Sequence, residues 1–216
     1  MPHAQPDGYL ATPPTGEGTA VLVLHAWWGL NDTIRAFCTR LAASGFVAFA
    51  PDLYHGSVAD TIDGAKTLSR ALDSDKAEAD IADAIQFLNE RAGQTAPGIA
   101  VIGFSLGAYY ALELSATAPE HIHSVVAFYG TGPSDYSNSR ANYLGHFAEN
   151  DEFEPQSDVD ALEASLQQAG RPVDFYRYSG TGHWFFEPDR SDAFNEAAAS
   201  LAWERTLAFL RGSATT

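Results

Sequence analysis

The chain has 216 residues, 45% of them hydrophobic and 12% aromatic, a composition that indicates a globular protein and excludes an intrinsically disordered one. Its net charge of −16 repels the phosphate backbone of nucleic acids, so we expect no nucleic-acid partner and assign the charge to solubility. The lone Cys38 excludes an internal disulfide framework and any metal site built from several cysteines.

Length and local composition also bound the domain organisation and the cellular location. A chain of this length fits one domain, which we place over residues 1–216. No apolar run in the sequence reaches the roughly 18 residues that a membrane helix needs. The first ten residues lack the basic and apolar regions of a secretory signal. We therefore expect a cytoplasmic protein with no membrane partner.

Short apolar runs alternate with longer helical patterns in chain order. The first run, TAVLVLHA, is continuous, as expected for a strand that is buried on both faces, and the helix after it has Ile34, Phe37 and Leu41 on one stripe. The predicted strands cover residues 19–26, 45–54, 98–104, 123–130, 142–150 and 172–180. The predicted helices cover residues 31–45, 75–92, the segment after residue 105, 159–170 and 192–212. This alternation predicts an α/β fold with a mostly parallel sheet, helices on both of its faces and sites at the carboxyl ends of its strands.

One of these strand ends carries the pattern Gly-x-Ser-x-Gly. In VIGFSLGAYY, Ser105 lies between Gly103 and Gly107 where a predicted strand gives way to a helix. Such a turn projects the serine hydroxyl from the sheet edge, with helix amides beneath it that can receive a developing negative charge. Since the pattern alone is weakly specific, its position at a strand-to-helix junction is what favours a nucleophile over a serine tolerated in a tight turn.

A serine hydroxyl needs a base to take its proton, and seven histidines are available. His183 directly follows the last predicted strand, in a loop where Gly180 and Gly182 permit sharp turns, so we assign the base to His183. The alternatives are less well placed: His55 follows a strand without an obvious acid, His121 and His123 precede a strand, and His146 lies inside one.

The acid that would orient this histidine is assigned to Asp151, which follows the strand that ends in HFAEN. Glu152 is the second choice, because Asp151 lies in a cluster of carboxylates that also includes Glu149 and Glu154. The alternative interpretation is that this acidic cluster is only a solvated loop. Two amides should bind the oxyanion, one from Leu106 and one from Trp27 in the loop HAWWGL.

These segments together resemble the dienelactone hydrolase family, a branch of the α/β-hydrolases, from about residue 8 to residue 211. The segment from His25 to Gly56 is similar to the family's first third, GFSLGA to its nucleophile motif and ENDEFEP to its acid loop. GHWFFEPDR and NEAAASLAWERTLAFL are similar to its histidine loop and closing helix. The resemblance implies a hydrolase of small esters and lactones that uses no metal and no cofactor.

The sequence departs from the enzymes that name this family at three positions. Those enzymes have a cysteine nucleophile where this chain has Ser105, and a glutamate that contacts the resting thiol where this chain has Ala26. They also bind a substrate carboxylate through arginines, one of them shortly after the histidine, where this chain has Glu187. These departures argue against an anionic dienelactone as substrate.

Aromatic residues are frequent around the predicted site, and Trp28 and Trp184 flank its segments as candidate pocket walls. The leading hypothesis is therefore a serine carboxylesterase that cleaves small, neutral esters through a Ser-His-Asp triad. A second hypothesis is hydrolysis of lactones, dienelactones included. A third is a non-catalytic protein that binds a ligand on the same scaffold.

Overall fold

The strands of the computed structural model form a mostly parallel, seven-stranded sheet within the residues that the structure describes, which are 4–91, 98–133 and 135–213. The strands are β1 Gly8–Ala11, β2 Thr19–Leu24, β3 Phe46–Pro51, β4 Ile99–Phe104, β5 Ile122–Phe128, β6 Asn142–Ala148 and β7 Val173–Tyr178. The helices are α1 Asp32–Ala43, α2 Ile62–Ala71, α3 Ser74–Arg91, α4 Leu106–Thr117, α5 Gln156–Gln168 and α6 Glu196–Ser213. The predicted mostly parallel α/β sheet is confirmed, and the end of the third helix, which we predicted at residue 92, lies outside the described residues.

Contacts group the chain into two compact units, Met1–Ile99 and Ala100–Thr216, so the single domain expected over residues 1–216 stays a prediction. In the first unit, β3 pairs with β2 in parallel and with β1 in antiparallel orientation. Helix α1 packs on β1 and β3, and α3 packs on β2 and β3. The strands β2 and β3 are almost fully buried, as their continuous apolar sequences require.

In the second unit the strand order is β4-β5-β6-β7, and β6 pairs in parallel with both β5 and β7. Helix α4 packs on β5, α5 on β7, and α6 on β5 and β6. Because β4, β6 and β7 end next to the segments that carry Ser105, Asp151 and His183, this unit positions all three side chains.

Local sequence explains where the helices begin. Asn31 caps α1, since its side-chain oxygen accepts a hydrogen bond from the amide of Ile34 at 3.1 Å. Asn195 precedes α6, and its Oδ1 accepts from the amide of Ala198 at 3.0 Å. The last helix thus begins at Glu196, later than the predicted start at residue 192. Among the described residues, no helix combines the length and the apolar character needed to cross a bilayer.

Candidate active site

Ser105 is the single residue between β4 and α4, and its backbone has the unusual torsion angles φ 49° and ψ −110°. Three backbone hydrogen bonds hold it there. Its N–H donates to the carbonyl of Phe128 at 2.9 Å, and its own carbonyl accepts from Ala108 at 2.8 Å and from Tyr109 at 3.1 Å. A non-glycine residue rarely adopts a positive φ, so these contacts maintain a strained backbone that projects the side chain.

Two glycines make room for this turn. A Cβ atom at Gly103 would overlap the carbonyl of Gly107, and a Cβ atom at Gly130 would lie 2.6 Å from the carbonyl oxygen of Ser105. Since both neighbours are backbone atoms that cannot move aside, only glycine fits at either position. The turn at Ser105 therefore requires these two glycines as well as the strand and the helix that flank it.

His183 lies in the loop after β7, and its Nε2 atom is 3.0 Å from the Oγ atom of Ser105. The histidine is only 6% exposed. Two hydrogen bonds shape the loop before it: Thr181 donates its hydroxyl to the carbonyl of Tyr178 at 2.7 Å, and the amide of Asn150 donates to the carbonyl of Thr181 at 3.0 Å. The second bond ties the loop that carries His183 to the loop that carries Asp151.

Asp151 completes a hydrogen-bonded chain of three side chains. Its Oδ2 and Oδ1 atoms lie 2.7 and 2.9 Å from Nδ1 of His183. Its Oδ1 also accepts from the amides of Phe153 at 2.9 Å and Glu154 at 3.0 Å, which fix the carboxylate in place. A carboxylate facing Nδ1 requires a proton on that nitrogen, which leaves Nε2 as the acceptor for the Ser105 hydroxyl. The arrangement can therefore draw a proton from the serine.

The other acids of the cluster have separate contacts. Glu152 is exposed, and no hydrogen bond joins it to His183 among the described residues. Glu149 accepts from the amide of Gly180 at 2.8 Å, and Glu154 accepts from the hydroxyl of Thr131 at 2.8 Å. Burial raises the pKa of Glu154. The Asp151 side chain is 2% exposed, so the loop is not simply a solvated acidic segment.

Three aromatic rings surround His183. The ring centroids of Tyr129, Phe153 and Trp184 each lie 5.0 Å from that of the imidazole, and Phe153 and Trp184 contact each other at 5.0 Å. Phe153 is 41% exposed although it is a large apolar side chain. Sequence reasoning did not single out Phe153. The signal available in the sequence was an aromatic residue between two glutamates, Glu152 and Glu154, because a fully solvated loop normally lacks large apolar side chains.

Glu187 is also buried near the imidazole, at 1% exposure. Its Oε1 accepts a hydrogen bond of 2.7 Å from the hydroxyl of Tyr129, the residue directly after β5. Burial raises the pKa of Glu187 to about 8, the negative charge of Asp189 adds to that rise, and the Tyr129 hydrogen bond opposes it. From the sequence, Glu187 was noted only as the residue that replaces a cation.

The remaining predicted site residues are placed as follows. Leu106 is the first residue of α4, directly after Ser105. Trp27 and Trp28 lie in the first unit, in the turn after β2, where the amide of Gly29 donates to the carbonyl of Ala26 at 3.1 Å. Trp28 is buried at 2% exposure. The oxyanion role of Leu106 and Trp27 and the wall role of Trp28 stay predictions.

The histidines that we set aside have other surroundings. His55 has an acidic neighbour after all, since its Nε2 lies 3.1 Å from Asp80. His121 is exposed beside Glu120, and His123 contacts Ser124 at 2.8 Å. His146 is fully buried between Tyr178 and Thr206, and burial lowers its pKa to about 3. Within the described ranges, no group of three or more histidine, cysteine, aspartate or glutamate side chains could hold a metal ion.

The linings of two cavities contain none of the residues Ser105, His183 and Asp151. One, of about 380 Å³, belongs to the first unit and is lined by Leu53, Tyr54, His55, Ser57, Leu68, Ala71, Leu72, Asp73 and Lys76. The other, of about 260 Å³, belongs to the second unit and is lined by Thr131, Gly132, Pro133, Asp158, Ala161, Leu162 and Ser165.

The chain is similar to known proteins over nearly its whole length. The sequence model of the dienelactone hydrolase family matches residues 7–213. Protein usf of Aquifex pyrophilus is 34% identical over 213 residues, which cover 94% of this chain and 92% of that protein. A Bradyrhizobium protein named "Probable 2-oxo-3-(5-oxofuran-2-ylidene)propanoate lactonase" is 31% identical over 220 residues, which cover 94% of this chain and 88% of that protein.

A solved structure shows the same similarity in three dimensions. The crystal structure of a Klebsiella pneumoniae protein named "Putative Dienelactone Hydrolase" superposes with a TM-score of 0.83 at 25% identity and covers 94% of this chain and 92% of that one. The predicted α/β-hydrolase fold is thereby confirmed.

Proposed function

This chain belongs to the dienelactone hydrolase family, and from that premise we propose that it is a serine hydrolase of small, neutral carboxylic esters. In this proposal Ser105 is the nucleophile, His183 the general base and acid, and Asp151 the residue that orients the imidazole. The observation that carries the proposal is the continuous hydrogen bonding from Oγ of Ser105 through His183 to Asp151, with gaps of 3.0 and 2.7 Å.

The proposed reaction has two halves. Ser105 attacks the ester carbonyl carbon while Nε2 of His183 takes the hydroxyl proton, and the imidazolium then delivers that proton to the departing alcohol. In the second half, water attacks the acyl-enzyme while Nε2 of His183 takes a proton from it. The imidazolium then returns that proton to Oγ of Ser105 as the carboxylic acid leaves. Asp151 keeps the imidazole in the required tautomer and stabilises its charged form. The negative charge on the tetrahedral intermediate is assigned to the amide of Leu106, with the amide of Trp27 as the second donor expected from the sequence.

The surroundings of the histidine support an uncharged substrate. Phe153 and Trp184 offer an aromatic surface beside His183, and such a surface favours an apolar acyl or alcohol group. At position 187 the side chain is an acid buried at 1% exposure, which offers no positive charge to a substrate carboxylate. We therefore propose a neutral ester rather than an anionic lactone.

Lactone hydrolysis is the second candidate function. It is favoured by one observation, the name of the Bradyrhizobium relative, which is 31% identical to this chain. A lactone and an open-chain ester undergo the same acyl transfer, so the same three side chains serve both. The kcat/KM values for a neutral γ-lactone and for an open-chain ester of the same carbon number separate the two candidates.

The first test of the proposal is the substitution Ser105→Ala, measured with a chromogenic acetate ester. The unaltered chain should hydrolyse the ester, and the variant should lose at least about 10³-fold in kcat because the nucleophile is gone. Ser157→Ala is the matched control, since Ser157 is an exposed serine at the start of α5, and it should retain full turnover.

The second readout is covalent. A serine-directed phosphonate should add its mass to the peptide that contains Ser105, and neither the Ser105→Ala variant nor the unfolded chain should react. Turnover that persists in Ser105→Ala would contradict the proposed mechanism. Absence of both labelling and turnover in the folded, unaltered chain would instead support a protein that only binds ligands.

A further inference from the structure

Tyr129 directly follows the residue that accepts the backbone hydrogen bond of Ser105, and its ring contacts His183. Its neighbour Phe128 accepts the backbone hydrogen bond from Ser105, and its ring lies 5.0 Å from that of His183. Its own backbone has a φ of 37°, which a tyrosine rarely adopts, and its amide donates to the carbonyl of His146 at 2.8 Å. The ring is fully buried, so Tyr129 packs between the strand end and the histidine rather than facing solvent.

Glu187 links the histidine loop to Tyr129. The loop turns sharply after His183: Trp184 has a φ of 65°, and the amide of Glu187 donates to the carbonyl of Trp184 at 2.9 Å. The Glu187 carboxyl then meets the Tyr129 hydroxyl at 2.7 Å. Its other oxygen, Oε2, has no hydrogen-bond partner among the described residues although it is buried. The Tyr129 contact is therefore a direct side-chain bridge from this loop to the end of β5.

We propose that Glu187 is a positioning residue, which holds His183 at hydrogen-bonding distance from Ser105 by fixing the histidine loop to Tyr129. The inference rests on the proposed hydrolytic function, since it assigns Glu187 a task in that reaction. Glu187 does not touch the reacting atoms, and it acts through the tyrosine ring that packs on the imidazole. Truncation of Glu187 leaves the Tyr129 hydroxyl without its acceptor and frees the loop that carries the base.

The protonation of Glu187 gives this contact a pH dependence. The groups that face the carboxyl are Tyr129 from the end of β5 and Asp189 and Arg190 from its own loop, and the charge of Asp151 also acts on Tyr129. With a pKa of about 8, the carboxyl is neutral at pH 7 and becomes a buried anion above pH 8. Burial disfavours this anion more strongly than the Tyr129 hydrogen bond favours it, and Oε2 has no partner among the described residues. Hydration of the charge at alkaline pH should therefore open the contact.

The kinetic experiment compares Glu187→Ala, Glu187→Gln and Tyr129→Phe with a neutral acetate ester. Glu187→Ala should lower kcat by about 10- to 100-fold with KM within about two-fold, because a displaced base slows chemistry more than binding. Glu187→Gln should recover most of that loss, because its amide oxygen still accepts from Tyr129. Tyr129→Phe should lose about 10-fold in kcat, since it removes the donor. Asp192→Asn, which changes an exposed carboxylate further along the same loop, is the matched control and should stay within about two-fold.

The pH profile distinguishes positioning from a merely structural role. The unaltered chain should lose kcat above pH 8, and Glu187→Gln should keep a flat profile there, because an amide does not ionise. An identical alkaline decline in Glu187→Gln would overturn the proposal, as would Glu187→Ala with kcat within two-fold of the unaltered chain. Should Glu187→Ala fail to fold, the alkaline profile of Glu187→Gln decides alone.

A measurement independent of turnover separates this proposal from the proposed function. In protein with isotope-labelled histidine, the low-field proton resonance of the His183 Nδ1–H reports its bond to Asp151. The resonance should be sharp in the unaltered chain and in Glu187→Gln, and broadened in Glu187→Ala. Lack of ester hydrolysis together with this pattern would refute the function and retain the positioning. Ester hydrolysis with an unchanged resonance in Glu187→Ala would support the proposed function and refute the positioning role of Glu187.

Discussion

At the scale of single residues, the best-supported contact is the one between His183 and Asp151. The carboxylate faces Nδ1 with both oxygens and accepts two backbone amides as well, so neither partner can rotate without loss of hydrogen bonds. The aspartate side chain is 2% exposed, and a buried carboxylate is stable only with such partners. This contact therefore fixes the tautomer of the imidazole before any substrate binds.

The prediction at this scale concerns which acid orients the base. Asp151→Asn should lower kcat by about 10³- to 10⁴-fold, because an amide can donate to Nδ1 and stabilise the wrong tautomer. Glu152→Gln is the matched control, since Glu152 is the exposed neighbour that the sequence offered as the second choice, and its kcat should be nearly unchanged. Steady-state kinetics at pH 7 measure both, and a larger loss in Glu152→Gln would contradict the assignment of Asp151.

Sequence reasoning selected Ser105, His183 and Asp151 because each follows a predicted strand, and parallel strands bring their carboxyl ends to one edge. The structure places the three side chains within hydrogen-bonding distance, and their catalytic roles stay predictions. It did not identify the contact between Tyr129 and Glu187, which are 58 positions apart. No periodicity links two such residues, and a glutamate in a loop normally faces water. Phe153 was missed for a similar reason, because its place in the candidate site depends on its contact with the ring of His183, which is distant in the sequence.

At the scale of elements, the junction of β4 and α4 determines how the proposed nucleophile, Ser105, is presented. The strand ends at Phe104 and the helix begins at Leu106, so the turn contains one residue. Such a short connection brings the first turn of the helix against the end of the strand, and Gly103 and Gly107 meet there without side chains. The orientation of the Ser105 hydroxyl is thus a property of the whole strand-turn-helix unit.

The prediction at this scale is that Gly103→Ala destabilises the protein by more than about 3 kcal/mol, because its methyl group would overlap the Gly107 carbonyl. Gly212→Ala, a substitution of the same kind in α6 at a position with open space, should be neutral or stabilising by up to about 1 kcal/mol. Urea unfolding of the two variants and the unaltered chain gives both values. Equal stability of Gly103→Ala and the unaltered chain would show that the turn can adapt.

The elements that sequence reasoning missed are the ones with weak patterns. Strand β1 has four residues, too few to show an alternation, and its partner at the edge of the sheet, β3, lies far along the chain. Helix α2 buries only Ala65 among its ten residues. Ile62, Ala65 and Leu68 recur at helical spacing, but Gly64 between them weakens the helix pattern. The buried strands were predictable, since their continuous apolar runs are bounded by turn residues and are too short for a membrane helix.

At the scale of the whole molecule, the chain combines a net charge of −16 with a few ionisable groups that are deeply buried. His146 is one of these: it lies on β6 and contacts Tyr178 of β7 at 2.8 Å and Thr206 of α6 at 3.0 Å. Burial lowers its pKa to about 3, so the folded protein keeps it neutral. The imidazole acts as a neutral polar bridge between two strands and a helix.

The prediction at this scale is that the free energy of unfolding falls as pH decreases below 6.5. The unfolded chain binds a proton at His146 near its ordinary pKa of 6.5, whereas the folded chain does so only near 3, so acid favours unfolding within that window. The slope from this group is at most about 1.4 kcal/mol per pH unit. Urea unfolding between pH 5 and 7 should show a shallower slope in His146→Gln than in the unaltered chain.

His121→Gln is the control for this measurement, because His121 is an exposed histidine beside Glu120, and its variant should keep the slope of the unaltered chain. A slope that His146→Gln does not change would mean that the imidazole is protonated in the folded state.

The positive φ of Ser105 has a consequence for protein engineering. A serine at φ 49° and ψ −110° costs folding energy that glycine would not, so replacement by glycine relaxes the backbone while it deletes the hydroxyl. A glycine at position 105 would therefore raise thermal stability and remove the proposed nucleophile in one substitution. A library screened only for survival at high temperature would enrich inactive members, and directed evolution of this protein should keep that codon constant or select for turnover in the same round.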